Sequence, residues 1–109
     1  MIDAAEIART ESLFRHVNER IAEAAERFAA PEATFVCECA DRDCAQRFDA
    51  PLAEYERVRE EPTRFLVAPG HEEHPVERTV RSAPRYRIVE KLGLAGTVAR
   101  RLDPRAQTA

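Results

Sequence analysis

Three thiol side chains fall within eight residues, in the run Cys37-Glu38-Cys39-Ala40-Asp41-Arg42-Asp43-Cys44, and a Pro69-Gly70-His71 turn follows later in the chain. Three thiolates and one imidazole make a complete tetrahedral shell for a zinc ion. A filled shell leaves no position for water or substrate, so the chemistry implied is a metal that holds the fold. Cys37 and Cys39 stand at i and i+2 of an alternating stretch and so point the same way, and Cys44 can swing back after a short polar connection. The fourth ligand must be remote. His71 is the stronger candidate, because Gly70 permits a sharp turn and Pro69 stiffens the approach. His74, just before Pro75, is the alternative, and His16 beside the first apolar stripe reads as solvent-exposed.

Two other readings compete for the same sulfurs. Cys37, Cys39 and Cys44 could be redox-active thiols, with oxidation ejecting zinc as a switch, or simply small buried hydrophobes. Having every cysteine of the chain inside eight residues argues against the last. Glu38, Asp41 and Asp43 read as solvated turn residues. A catalytic zinc would need a vacated ligand and a nearby acid or base, for which Glu72 and Glu73 are the candidates. Nothing in the sequence signals a substrate cleft, so no catalytic and no cofactor-binding residue is assigned. The Gly93-x-x-Gly96 pair is too short for a nucleotide fingerprint, and Ser12 and Ser82 lack a supporting His and Asp.

The Cys-x-Cys-x4-Cys spacing resembles the post-SET zinc cluster that follows SET-domain lysine methyltransferases, in which a remote cysteine completes the shell. That likeness covers eight residues. Here the remote ligand would be His, and the chain has no room for a SET domain, so only the feasibility of wrapping a zinc ion carries over. Over most of residues 5–105 the chain is similar to a family of small Cys3His-type proteins from GC-rich bacteria. The residues that carry this are Phe35-Val36-Cys37-Glu38-Cys39, Glu54-Tyr55-Glu56-Arg57-Val58-Arg59, Val67-Ala68-Pro69-Gly70-His71-Glu72 and Val89-Glu90-Lys91. The resemblance implies a stand-alone domain and no particular activity.

The elements that must position these ligands begin with a long helix. From Asp3 to Ala30 the pattern is helical: Ile7, Phe14, Ile21 and Phe28 recur every seven residues, with Val17, Ala24 and Ala25 thickening the stripe. Glu, Arg and Asn are expected to face outward. About seven turns, on the order of 40 Å, exceed what so small a domain needs for cover, so the stripe is either an intramolecular cover or a coiled-coil-like dimer seam. After Pro31 the period becomes two. Thr34–Cys39 reads as a strand with Phe35, Cys37 and Cys39 on one face, and Gln46–Asp49 returns as its hairpin partner. Pro51 suits the first position of a helix whose inner side is Leu52, Tyr55 and Val58, ending before Pro62. Arg64–Ala68 is a third strand. Pro75 starts a short helix to about Arg81, with Val76 and Val80 in register and Glu77 and Arg81 as an exposed pair. Arg85–Glu90 is a fourth strand. The tail from Leu92 is a docked turn of helix or a frayed end.

The fold class expected is α+β: a long N-terminal helix, then a small, mostly antiparallel zinc-stabilised sheet with two short helices. The divisions are 1–30 for the helix, 31–92 for the core and 93–109 for the C-terminal tail. At 109 residues, 6% aromatic and without Trp, the core is thin enough for a metal cross-link to add useful stability. A net charge of −3 argues against a generic polyanion binder. The charge is uneven, however: residues 1–61 sum to −7 and residues 62–109 to +4. The halves can attract each other within one fold. Alternatively Arg78, Arg81, Arg85, Arg87, Arg100, Arg101 and Arg105 form a basic face, with Tyr86 stacking on a nucleic-acid base. The first view is favoured. No apolar run approaches the roughly 18 residues of a membrane span, and no signal-peptide core opens the chain, so a cytoplasmic location is expected. The reading is a zinc-binding, non-enzymatic regulatory or protein-interaction module, whose partner or second copy meets the long helix. A redox switch and a nucleic-acid module stand as alternatives.

Overall fold

The computed structural model of the chain describes residues 3–72 and 76–105. Its order is α1 (Ala4–Arg27), β1 (Glu32–Val36), β2 (Arg47–Pro51), α2 (Leu52–Arg59), β3 (Arg64–Val67), β4 (Glu77–Ser82), β5 (Arg87–Lys91) and α3 (Gly93–Arg101). The mixed α+β class is as expected. The strands form two antiparallel sheets instead of one: a β1-β2 hairpin, and a three-stranded sheet in the order β3-β5-β4.

Helix α1 starts where Asp3 accepts a hydrogen bond from the Glu6 amide at 2.8 Å, an N-cap that satisfies one of the free first-turn donors. It ends in a left-handed residue, Ala29 at φ 53°, with the Ala30 amide bonded back to the Ala25 carbonyl. Which face it buries is a correction. Ala8, Glu11, Arg15, Asn18, Ala22 and Ala25 point inward, whereas Leu13, Val17 and Phe28 are 56%, 42% and 79% exposed. Glu, Arg and Asn therefore do not all face outward. They win the inner face because carboxylates, guanidinium groups and backbone atoms of the other elements wait there to pair with them.

The apolar core lies between the two sheets and α2. Phe35 stacks on Tyr55 with ring centroids 4.6 Å apart, and Phe48 tilts against Tyr86 at 5.6 Å. Phe65, Leu66, Val67 and Val89 are fully buried beside them. Fully burying a side chain of this kind is worth about 1.5–3 kcal/mol. In α2, Tyr55 and Val58 face inward as expected, although Pro51 is the N-cap and not the first helical residue.

The short helix from Pro75 to Arg81 is a second correction. Residues 73–75 lie outside the described residues, and 77–82 are strand β4, paired with β5. Glu77 is buried against Lys91, so Glu77 and Arg81 are no exposed pair. The i,i+4 spacing of Val76 and Val80 misled because it fits a strand's period of two as well as a helical turn. Strand β4 also carries a bulge: Thr79 pairs with Val89 and Arg81 with Ile88, leaving Val80 unmatched.

The tail forms a docked helix. Ala95 and Ala99 of α3 are fully buried. At Gly96 an added Cβ would stand 3.0 Å from the Lys91 carbonyl oxygen, so a side chain there would have to push this turn back from the end of β5. Charges from the two halves of the sequence also pair across the fold. Glu11 pairs with Lys91, Glu19 and Glu56 with Arg105, Glu54 with Arg81, and Asp49 with Arg85. Among the described residues, no helix is long and apolar enough to cross a membrane.

Candidate metal centre

The chain leaves β1 with Cys37 still paired to the hairpin, its amide donating to the Gln46 carbonyl at 3.0 Å. One residue on, it switches sheets: the Glu38 amide donates to the Leu66 carbonyl of β3 at 2.8 Å. The alternation therefore persists through Cys39, and Cys37 and Cys39 are both buried on the side of Phe35. Asp41 closes the following connection by accepting from the Asp43 amide at 2.9 Å, and the Cys44 amide donates to the Asp41 carbonyl at 3.1 Å. That tight loop returns Cys44 toward the first two sulfurs.

His71 arrives from the other sheet. Gly70, at φ 88°, makes the turn after β3 in a conformation that side chains resist, and the His71 amide closes it on the Ala68 carbonyl at 3.0 Å. The imidazole Nδ1 then lies 3.6 Å from Cys37 Sγ and 3.5 Å from Cys44 Sγ. One donor atom from each of Cys37, Cys39, Cys44 and His71 falls within 4.8 Å of every other, a set that could hold a metal ion. Sulfur and nitrogen ligands at about 2.3 and 2.0 Å from one tetrahedral ion are separated by roughly 3.5–3.8 Å, so the sulfur–nitrogen contacts already have that spacing. His74 lies outside the described residues, and His16 is exposed.

The electrostatics of the three sulfurs are those of groups that cannot all ionise side by side. The hydrogen bond shared with Cys39 pushes the Cys37 thiol up, with burial adding to it. The same bond pulls Cys39 down to about 5, helped by the neighbouring His71. Burial also raises Cys44. The Ala68 amide, which donates to Cys37 Sγ at 3.1 Å, supplies one stabilising dipole. A divalent cation at the centre would let all three become thiolates together.

Around this centre lies a polar framework that the sequence reading missed. Glu38 is a correction to the solvated-turn expectation: it is fully buried. Its Oε1 accepts from the Leu66 amide at 2.8 Å and its Oε2 from Asn18 Nδ2 at 2.7 Å. Burial pushes its carboxyl up to about 7, against the pull of those two bonds. Asn18 acts as a substitute strand for the outer edge of β1, donating to the Val36 carbonyl at 2.8 Å and accepting from the Val36 amide at 2.9 Å. Arg15 lies over the Phe65 ring, 4.4 Å from its centroid, and donates to the carbonyls of Pro62 and Ala99. Asp41 and Asp43 are exposed, as expected. The only advance signal for Glu38 was its place in the strand: between two inward cysteines it should point away from them, into whatever packs on the other face.

Comparison with protein-family models, with curated proteins and with solved structures finds no match. The fold and the site together define a small α+β protein with a Cys3His cluster that could hold a metal ion.

Proposed function

We propose that this chain is a cytoplasmic, non-enzymatic zinc-binding module that works through protein contacts. Cys37, Cys39 and Cys44 would bind as thiolates and His71 as a neutral imidazole, tying the hairpin to the turn after β3. The observation that carries this reading is the convergence of four donors within 4.8 Å of one another, His71 coming from a segment 27 or more residues away from the cysteines. Zinc suits the donor set better than harder cations, which prefer oxygen. A shell of four protein ligands is structural in character. The protein-contact role is supported by the exposed apolar residues Leu13 and Val17 of α1 and Phe28 at its C-cap, which leave that face available to a partner or a second copy.

The test is metal analysis of protein purified without added zinc. About one zinc per chain is expected, lost in a Cys39→Ser variant. A ratio near zero for the unaltered chain overturns the proposal. A second reading, a thiol/zinc redox switch, rests on one observation: Cys44 is half-exposed while Cys37 and Cys39 are buried, so one sulfur of the set is open to attack. Peroxide would take two electrons from two thiolates, forming one disulfide and two hydroxide ions as zinc leaves. Zinc release on mild peroxide, reversed by a dithiol, supports it; zinc retained under those conditions removes it.

A further inference from the structure

Away from the metal cluster, a half-enclosed cavity of about 180 Å³ opens between α2 and the β4-β5 edge. Its floor is apolar. Val58 comes from α2 and Ile88 from β5, both buried, and Val80 is the bulged residue of β4. The bulge is what makes the space: a residue without a partner on β5 lets β4 bend there. Bulges of this kind re-aim side chains next to binding sites.

The rim is cationic. Arg57, Arg64 and Arg81 all line the opening, with Glu54 as the one carboxylate among the lining residues. Arg81 pairs with Glu54, which the Tyr86 hydroxyl also approaches at 3.4 Å. Arg57 reaches Glu54 only at 3.7 Å, longer than a hydrogen bond, and is 70% exposed. Arg64 engages Glu90 through Nε at 3.2 Å, which turns its terminal nitrogens elsewhere. Three guanidinium groups against Glu54 and the nearby Glu90 leave the mouth with a positive balance, and each guanidinium offers planar donors suited to a carboxylate.

From this geometry we infer that the cavity is a binding site for a small apolar monocarboxylate, its hydrocarbon body on Val58, Val80 and Ile88 and its carboxylate between Arg57 and Arg64. Size limits the ligand. A heavy atom with its hydrogens needs somewhat less than the about 30 Å³ share of a liquid water, so the space suits on the order of eight heavy atoms. Charge limits it further, since a neutral molecule of the same shape gains nothing from the positive balance of the mouth. The site does not depend on the metal cluster, which lies on other elements.

Nuclear magnetic resonance titration of the 15N-labelled full chain tests this, with hexanoate as the probe and hexanamide and acetate as controls. Saturable amide shifts at residues 57–58, 64, 80–81 and 88 are expected, with a dissociation constant on the order of 1 mM. Hexanamide, lacking charge, and acetate, lacking the hydrocarbon body, should each bind at least about tenfold more weakly. The double variant R57Q/R64Q alters exposed or half-exposed side chains and should weaken hexanoate by a similar factor while keeping the unliganded spectrum. V80F, which fills the cavity from the bulge, should abolish the shifts. Absence of saturation with hexanoate, equal binding of hexanamide, or unchanged affinity in R57Q/R64Q each overturns the assignment.

Discussion

Cys37, Cys39, Cys44 and His71 gather four neutral or ionisable donors around one point, whereas Glu11, Arg15, Asn18, Glu19, Arg59, Lys91 and Asp103 bury polar groups and full charges beneath α1. Both clusters put polar atoms where water is scarce, and they satisfy them differently. The sulfur cluster is incomplete as a set of side chains, because ionised thiolates repel one another until a cation sits between them. The charge network sets opposite signs in contact without an ion, although Arg15 Nε and Arg59 Nη1 are buried with no hydrogen-bond partner among the described residues. Lys91 lies between Glu11 and Glu77, and Arg59 bridges Glu19 and Asp103, each with its opposite sign in contact. One region should therefore answer to chelators and acid, the other to loss of a single partner. Glu38 touches both, lying between Cys37 and Cys39 in sequence and against Asn18 in space.

The largest effect expected is from the metal. A structural zinc contributes on the order of 10 kcal/mol of apparent binding energy in small domains near neutral pH, and that energy is folding energy. Chelation, or Cys37→Ser, should lower the melting temperature by tens of degrees or abolish the cooperative transition, at about 4–8 °C per kcal/mol for a domain near this size. Differential scanning fluorimetry with and without chelator measures it. Protons compete with the ion for thiolates and imidazole, so the chelator-sensitive increment should disappear as the pH falls. An increment that is absent at pH 7, or that survives at acid pH, would erase the distinction between the two regions.

Next in size is removal of one partner from the charge network. Arg59→Met takes the guanidinium from Asp103 and leaves Glu19 with Arg105 alone, and Lys91→Met removes the ammonium that pairs with the buried Glu11. Leaving a buried charge without its partner costs about 3–5 kcal/mol. Denaturant unfolding should register that loss, while metal analysis still gives the ratio of the unaltered chain. Loss of metal from a folded Lys91→Met protein would mean that the two clusters are one cooperative unit.

Glu38→Gln is the finer probe, because Glu38 stands where the regions meet. Its two oxygens accept from Leu66 and Asn18. Glutamine keeps one acceptor and turns an amide group toward one of those donors, which should cost about 1–3 kcal/mol. Measured with and without zinc, the same loss in both states would show that the arch carrying the cysteines is held from α1 independently of the ion. A loss confined to the zinc-bound state would couple them.

How much of this was legible beforehand follows from the range of the interactions involved. The cysteine cluster, its alternation into β1 and the turn at Gly70 are local patterns, and His71 could be chosen because glycine at a sharp turn has few other uses. The α+β class, α2 and β3 were written in short periodic runs. The inner face of α1 was not. Ile7, Phe14, Ile21 and Phe28 form a persuasive stripe, yet the helix docks on Glu11, Arg15 and Asn18, whose partners Lys91, Pro62, Ala99 and Val36 are distant in sequence. A buried charge looks like a surface charge until its partner is known. Strand β4 was hidden for a different reason: the four-residue spacing of Val76 and Val80 fits a period of two as well as a helical turn, and pairing with β5, which decides between them, is not local.

The smallest effect belongs to the end of α1, where neither cluster is involved. Ala29 sits at φ 53°, the left-handed position that closes the helix, with its side chain exposed. An L-residue with a Cβ resists that conformation by roughly 1 kcal/mol, whereas glycine enters it freely. Glycine also loses more backbone freedom on folding, which takes back part of the gain. Ala29→Gly should therefore stabilise the protein slightly, by about 0.5 kcal/mol, through the Ala30-to-Ala25 hydrogen bond that this conformation permits. The gain should be the same in zinc-loaded and chelated protein. An increment that grows when zinc is removed would mean that the helix end and the sulfur cluster share strain, so that the metal region reaches further along α1 than its four donors suggest.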